Sequence, residues 1–149
     1  MPTTSPLPPV PEARFAWEAV VEIGERQALG PGPLGERFIV PILGGTFEGP
    51  RLRGTVLPGG ADRQLLRTDG VKELDALYEL QTDDGAVITV RNRVLIDESA
   101  TPGRYARSVL QLRAPAGPHG WLNRRVFVGT LQGLQPARAA VCIRVYELA

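Results

Sequence analysis

The stretch ERFIVPILGGTFEGPRLRGTVLPGGADRQLLR, from Glu36 to Arg67, decides the fold. Short apolar runs alternate in it with Gly-Gly, Gly-Pro and Pro-Gly-Gly breaks. Such breaks between β-rich runs are typical of strands that are joined at tight corners. Pro41 lies inside the run Phe38–Leu43 and cannot donate to a sheet ladder, so it predicts an edge, a bulge or a bend. The stretch therefore predicts two strands and a corner of a small closed sheet.

The flanking sequence repeats this pattern of strands and turns. Apolar residues alternate with polar ones in ARFAWEAVVEIGE, which starts at Ala13 and predicts a strand rather than the competing helix. The segment Glu73–Gln81 and the run Ala86–Leu95 flank Thr-Asp-Asp-Gly and predict a hairpin, with Asp-Gly suited to a type I′ turn. We expect Ala28–Gly35 to be a loop because of its Gly and Pro content. Three further strands are predicted at Tyr105–Arg113, Arg125–Leu131 and Ala140–Leu148.

Eight or nine short strands with regular turns and no long helix indicate an all-β chain. We predict a single closed antiparallel β-barrel of about eight to ten strands, and a sandwich is the alternative. Gly and Pro kinks favour the barrel because closure needs bent corners and removes exposed edges. The predicted barrel domain is 13–149. It follows a disordered Pro-rich tail, residues 1–12, in which the first eleven residues include five prolines.

Composition excludes several classes of function. The 17 basic residues against 16 acidic ones lack the surplus that nucleic-acid binding needs. One Cys and one His cannot form a Cys/His zinc site or an intrachain disulfide, and we predict neither a metal nor a cofactor. No apolar run approaches the roughly 20 residues of a membrane span, and the start does not resemble a signal peptide. We therefore expect a cytoplasmic protein that binds neither membranes nor nucleic acid.

Three segments carry a family resemblance. GGTFEGPRLRGTVLPGGAD, LDALYELQTDDGAVITVRNR and WLNRRVFVG, in this order, resemble the family called domain of unknown function 3237. The resemblance runs from about Phe15 to Glu147. It implies a single-domain antiparallel β-barrel, similar in architecture to allene oxide cyclase. The few relatives with an assigned role resemble catalysts of cyclisation or addition in secondary metabolism.

The chain departs from the family pattern at Arg63. An aromatic residue, typically Trp, usually follows Gly-Gly-Ala-Asp in the family, and here Arg63 takes that position. If this position lines the mouth of the barrel, the resemblance implies a more polar or anionic ligand. The alternative is that another residue has taken over the packing role of the ring.

Two carboxylates, a tyrosine and an asparagine are the candidates for chemistry. Asp62 and Glu48 lie beside glycine breaks, where burial in a barrel mouth would raise a carboxyl pKa towards neutrality and suit it to acid–base catalysis. The alternative for Asp62 is that it bonds turn amides. Tyr78 and Asn92 share a face with apolar residues, and we predict that Tyr78 donates to an oxyanion and Asn92 orients a carbonyl. Alternatively, they satisfy each other or a backbone group.

Four further residues are predicted to bind substrate. Arg37 and Arg63 suit a ligand carboxylate, although strand arginines more often face outward. Trp121 and Asn123, in Trp-Leu-Asn before a strand, are expected at the barrel mouth, and plugging the barrel end is the alternative for Trp121. The single His119 is expected to be exposed.

These residues predict a cofactor-independent barrel enzyme that acts on a small hydrophobic metabolite by acid–base chemistry. The reaction would be a cyclisation, an isomerisation, or an addition or elimination across a double bond. The alternative is a noncatalytic barrel that binds a small molecule, and a structural module is a third hypothesis. Base rates for soluble proteins favour a homodimer.

Overall fold

Ten strands and one 3₁₀ turn, Gly120–Arg124, are formed in the computed structural model, which describes residues 6–99 and 103–149. Every pairing between strands is antiparallel. The predicted all-β class is confirmed. In chain order the strands are β1 Ala13–Ile23, β2 Gln27–Gly32, β3 Gly35–Glu48, β4 Arg53–Val56, β5 Ala61–Arg67, β6 Lys72–Thr82, β7 Val87–Asp97, β8 Tyr105–Arg113, β9 Val126–Gly133 and β10 Ala140–Leu148.

The sheet closes because β1 pairs with β10 on one side and with β3 on the other. The first half of β3 pairs with β2 and β5, and its second half pairs with β1 and β4. Strands β1 and β2 therefore lie end to end along β3, and so do β4 and β5. The result is a closed antiparallel barrel of eight strands with two extra short ones, which confirms the predicted barrel.

The corner in the central stretch lies where β3 changes partners. Pro41 has no amide hydrogen, and its carbonyl accepts a hydrogen bond from Gly24, 2.9 Å away, at the break between β1 and β2. At Gly45, φ is 137°, and a Cβ would lie 2.0 Å from the carbonyl oxygen of Val20. Only glycine permits this approach of β1 to β3. The bend predicted from Pro41 and Gly44-Gly45 is confirmed.

Two local predictions are wrong. The expected loop Ala28–Gly35 instead contributes most of β2, because an edge strand bonds through one side only and tolerates the lack of a donor at Pro31. The hairpin after β6 is confirmed, but its turn is not type I′. Asp84 keeps a negative φ and Gly85 alone has a positive φ, 90°. This matches a three-residue loop with glycine in the left-handed position.

The predicted tail falls partly outside the described residues, which begin at residue 6. Residues 6–12 are exposed ahead of β1. Glu12 and Ala149 exchange two backbone hydrogen bonds of 2.9 and 2.8 Å. The disorder of the tail stays a prediction.

The interior of the barrel has two unlike halves. The aromatic half lies beside the 3₁₀ turn, where the rings of Trp17, Trp121 and Phe127 pack with centroids 5.7 and 5.9 Å apart. The polar half lies further along the same strands, between Tyr78 and the start of β6 at Lys72. It contains both apolar walls and buried polar side chains, and it holds the site described next.

Candidate functional site

The polar half carries four polar side chains on the inner face of neighbouring strands. Asp62 on β5 pairs with Ala76 on β6, which pairs with Asn92 on β7. The next row of inner-face residues across the sheet contains Gln64 on β5 and Ser108 on β8, which are connected through the paired strands β6 and β7. Asp62 and Asn92 are thus two strand spacings apart, about 10 Å between backbones. These four residues are called the polar cluster.

Most polar atoms of this cluster have no partner within the protein. Gln64 donates from Nε2 to Asp62 Oδ2 at 2.9 Å. Among the described residues, six buried side-chain atoms lack any hydrogen bond, and all but His119 Nδ1 belong to this cluster: Asp62 Oδ1, Gln64 Oε1, Asn92 Oδ1, Asn92 Nδ2 and Ser108 Oγ. A buried group without a partner costs about 1–3 kcal/mol, so such atoms are rare in stable proteins unless something satisfies them. The chain therefore leaves these atoms available for hydrogen bonds to water or to a ligand.

Small residues lie beside the polar cluster. Ala76 separates Asp62 from Asn92 on the inner face, and Gly129 pairs with Ser108 from β9. A Cβ at Gly129 would lie 2.6 Å from Ser108 Oγ. A larger side chain at Gly129 would therefore collide with the hydroxyl group of Ser108, so glycine is needed for Ser108 to keep its place.

Burial tunes Asp62 for proton transfer. Burial raises the pKa of Asp62 from 3.8 to about 6, although the hydrogen bond from Gln64 and the charge of Lys72 oppose the shift. Gln64 holds one carboxylate oxygen and leaves Oδ1 free. A carboxyl group with a pKa near neutrality and one free oxygen can both accept and return a proton at physiological pH.

Tyr78 lies at the inner end of the cluster. It follows Ala76 on the inner face of β6, and its side chain is buried. Burial, reinforced by the nearby charge of Asp62, raises the pKa of the Tyr78 phenol. The phenol therefore stays protonated at neutral pH and is able to donate a hydrogen bond. Tyr78 Oη has no hydrogen-bond partner among residues 6–99 and 103–149.

Three of the predicted site residues meet in this half of the barrel. Asp62, Tyr78 and Asn92 lie on the inner faces of three consecutive strands. The alternative that Tyr78 and Asn92 satisfy each other is wrong, because neither amide atom of Asn92 has a partner. The alternative for Asp62 also fails, since Asp62 lies within β5 and hydrogen-bonds Gln64 rather than a turn amide.

Glu48 and Asn123 lie away from the cluster. Glu48 is exposed and pairs with Arg53, whereas Asp62 pairs with Val40, so the two carboxylates do not share a mouth of the barrel. Asn123 accepts a hydrogen bond from the backbone N–H of Ala114 at 2.8 Å and donates one to its carbonyl at 2.9 Å. Its amide is thus occupied in holding a loop.

Trp121 belongs to the aromatic half, in line with the alternative that it plugs the end of the barrel. Its ring packs on Phe127, and the guanidinium carbon of Arg51 lies 3.7 Å from the centroid of the same ring. A ring with these two contacts closes this end of the barrel. It does not reach the polar cluster, because the cluster lies on the opposite side of Trp17 and Phe127 along the strands.

Arg37 and Arg63 face outward. Both side chains are exposed, and they line a concavity of about 1500 Å³. Its lining also includes Gln64 and Ser108 of the polar cluster and the apolar residues Phe38, Leu74 and Val94. Asp62, Tyr78 and Asn92 are absent from its lining. Arg63 thus borders a concavity that the polar cluster reaches through Gln64 and Ser108, and its place at a mouth of the barrel stays a prediction. The exchange of the usual aromatic residue for arginine adds a cation to the lining of this concavity.

Sequence reasoning missed Gln64, Ser108 and the setting of His119. Ser108 alternates in phase with Ala106, Leu110 and Leu112, a parity signal that would have placed it inside. His119 is buried rather than exposed, and its Nε2 lies 3.0 Å from both carboxylate oxygens of Asp84. This contact connects the hairpin turn after β6 to the 3₁₀ turn, so His119 serves the aromatic half.

The comparisons with known proteins agree with this architecture. The family model described as "Protein of unknown function (DUF3237)" matches residues 11–148. The chain belongs to this family. A UPF0311 protein of Rhodopseudomonas palustris strain TIE-1 is 41% identical over 137 residues, covering 83% of this chain and 90% of the relative.

Solved structures confirm the barrel of the DUF3237 family. A β-barrel-like protein from Acinetobacter baumannii superposes with a TM-score of 0.89 at 30% identity, covering 97% of this chain and 100% of the other. A protein of unknown function from Rhodopseudomonas palustris gives 0.85 at 30% identity, covering 95% and 100%. A protein from Penicillium herquei, described as an enzyme, gives 0.77 at 23% identity, covering 98% and 100%. At that identity, the likeness shows the fold alone.

Residues 6–99 and 103–149 contain no group of three or more His, Cys, Asp or Glu placed to hold a metal ion. Within the same residues, no helix has the length and apolar character needed to cross a membrane.

Proposed function

We propose that the protein is an enzyme that transfers protons on a small, largely apolar molecule held in the polar half of the barrel. The reaction class is cyclisation, isomerisation, or addition or elimination across a double bond, and a role in secondary metabolism fits it. One observation carries the proposal. Asp62, with a pKa of about 6, lies buried among polar atoms that have no partner within the chain.

Each residue has a role that follows from its surroundings. Above pH 6 the carboxylate of Asp62 is mostly ionised and accepts a proton at Oδ1, while Gln64 holds Oδ2. Tyr78 donates a hydrogen bond to the oxygen on which negative charge develops. Asn92 offers both a donor and an acceptor and orients a carbonyl or hydroxyl group. Asp62 then returns the proton to another atom of the same molecule, so the chain's own groups complete the cycle.

The walls of the site suit an apolar ligand. Phe38, Leu74 and Val94 are buried on the inner face around the polar cluster. Contact with these side chains would displace water from Asp62 and Tyr78. In a site without water, the hydrogen bond from Tyr78 and the basicity of Asp62 both contribute more to the reaction.

A noncatalytic binding barrel is the second candidate. Asn92, Gln64 and Ser108 supply donors and acceptors that would bind a ligand whether or not it reacts. The two functions separate at Asp62, because binding alone does not require a titrating carboxyl group. A cytoplasmic location and a homodimer stay predictions from the sequence.

Deuterium incorporation tests the proposed chemistry without knowledge of the natural substrate. The probe is 2-tetralone in D₂O, in which exchange of the protons next to the carbonyl is followed by NMR. We expect the wild type to accelerate exchange and Asp62→Asn to lose at least about 100-fold of the acceleration, the usual contribution of general acid–base catalysis. Tyr78→Phe should lose about tenfold or more. Glu79→Gln, which removes an outward carboxylate from β6, is the matched control and should exchange like the wild type.

Two results would count against an enzyme. Acceleration that survives in Asp62→Asn would remove Asp62 from its role. A 2-tetralone complex detected as a rise in Tm, with exchange no faster than in buffer, would support the noncatalytic barrel.

A further inference from the structure

Lys72 is the single lysine of the chain, which otherwise uses sixteen arginines as its cations. It starts β6 and lies on the inner face, because it pairs with Leu66 on β5 and with the fully inward Ile96 on β7. The side chain is half-buried. Leu74 and Ala76 follow it on the same face, so a line of inner positions leads from Lys72 to Asp62.

The ammonium group of Lys72 forms no direct ion pair, although the charges of Asp62 and Glu98 act on it from further away. Among residues 6–99 and 103–149, no carboxylate lies within 4.0 Å of it, and it makes no hydrogen bond. The nearby Glu98 pairs instead with Arg104, at 3.7 Å. Burial lowers the pKa of Lys72 and the charge of Arg26 lowers it further, while the charges of Asp62 and Glu98 partly oppose this shift. A half-buried cation beside a second cation gains most from an anion brought by a ligand.

Arg26 strengthens the positive potential at this end of the barrel and supplies an apolar contact. Its guanidinium carbon lies 4.0 Å from the centroid of the Phe38 ring, and Phe38 is buried on the inner face. The other cations described above differ from this pair. Arg63 and Arg93 face outward, and Arg91 forms a two-point contact with Asp75 on the outer wall.

We propose that Lys72, with Arg26 beside it, binds an anionic group of the substrate. This inference rests on the proposed function and gives its substrate class: a largely apolar molecule that carries a carboxylate, phenolate or similar anion. Four residues of strand separate Lys72 from Ala76, the partner of Asp62, which is about 13 Å. Since the lysine side chain spans part of that distance, roughly 7–10 Å remain between the anion and the reacting carbon. Two or three fused rings have that length.

Paired fluorescent probes test the anion site. 8-Anilinonaphthalene-1-sulfonate and N-phenyl-1-naphthylamine share the same aromatic frame, and only the first carries a charge. We expect the wild type to bind the anionic probe at least about tenfold more tightly than the neutral one, as a hydrogen bond to a charged group predicts. Lys72→Met should reduce this ratio of Kd values to about one, and Lys72→Arg should restore most of it.

Arg93→Gln is the matched control because it removes a cation from the outer wall at a position that also contacts a large concavity. The wild-type ratio should persist in this variant. Three results would each overturn the proposal. The ratio of Kd values could be lost in Arg93→Gln, it could persist in Lys72→Met, or the wild type could fail to bind the anionic probe.

A measurement on the wild type covers the case in which Lys72→Met does not fold. Biosynthetic labelling with ¹³Cε lysine gives one lysine signal, since the chain has one lysine. The anionic probe should move that signal at least about threefold further than the neutral probe at saturation. Equal shifts, or none, would overturn the proposal. The exchange assay on Asp62→Asn fails or succeeds independently of this signal, so the two proposals are separable.

Discussion

Strands β6 and β7 contribute to both halves of the barrel interior, and the halves differ in how their buried atoms are satisfied. In the aromatic half, Leu80 and Ile88 are a cross-strand pair without exposed surface, and Trp17 and Phe127 pack beside them. In the polar half, the same two strands place Ala76 opposite Asn92, whose amide atoms have no partner within the protein. The first arrangement stabilises the fold. The second sacrifices stability for groups that can act on a ligand.

The largest effect is expected in the aromatic half. Phe127→Ala should lower the free energy of unfolding by about 3–5 kcal/mol, since it removes a ring that contacts both Trp17 and Trp121. Urea unfolding followed by circular dichroism measures this loss. Val126→Ala, one residue earlier and exposed, is the control and should cost less than about 0.5 kcal/mol. Equal losses in the two variants would mean that the rings do not form the stabilising core.

The next effect is a dependence of stability on pH that comes from the polar half. The folded pKa of Asp62 is raised from 3.8 to about 6, so its protonated form favours the folded state. The contribution of protonated Asp62 to the free energy of unfolding is fully present below pH 3.8 and is lost as the pH rises through 6. It amounts to at most about 3 kcal/mol for a shift of this size.

The difference in unfolding free energy between wild type and Asp62→Asn, measured from pH 4 to pH 7.5, isolates the contribution of Asp62 to stability. We expect the wild type to lose stability relative to the variant across this range. Glu79→Gln should show no such relative change. A difference that is constant with pH would show that Asp62 titrates as an ordinary surface carboxyl group.

Two asparagines sharpen the contrast further. Asn92→Leu replaces an amide that has no partner by an apolar group of similar size, and we expect it to stabilise the fold by about 1–3 kcal/mol while it abolishes exchange on 2-tetralone. Asn123→Leu removes two hydrogen bonds to the backbone of Ala114 and should instead destabilise by about 1–2 kcal/mol. Destabilisation in both variants would indicate that Asn92 serves the fold.

The smallest effect is expected at the plug. Arg51→Ala removes the guanidinium that stacks on Trp121 and should cost about 0.5–1 kcal/mol. Arg124→Ala removes an exposed arginine from the same 3₁₀ turn and is the control. Thermal unfolding should separate the two variants by a few degrees. No difference between them would show that the stacking adds nothing to the plug.

How far the sequence could predict this molecule depends on the range of the interactions. Period-two alternation predicted the strands and placed Tyr78 and Asn92 on faces shared with apolar residues, because a strand fixes the side to which each residue points. Asp62 was selected from its place after a Gly-Gly break. Alternation did not decide whether Arg37 and Arg63 face into or out of the barrel, since no local pattern shows which alternate residues of β5 point inward. Register against β3 and β6 decides that.

Contacts between distant segments were beyond local patterns. His119 was expected to be exposed because of its place between Pro118 and Gly120, yet Asp84, 35 residues away, buries it. No local pattern in the sequence distinguishes Lys72. Its half-buried place beside Arg26 and Phe38 arises only when β2, β3 and β6 assemble.

Intermolecular NOEs between 2-tetralone and methyl-labelled protein would locate the ligand, since residues 94–96 place Val94 and Ile96 inside the barrel and Leu95 outside. The proposed site predicts NOEs from the ring protons to the methyl groups of Val94 and Ile96, with none to Leu95 or to the outward Val109. NOEs confined to Leu95 and Val109 would place the ligand on the outer wall and contradict the account.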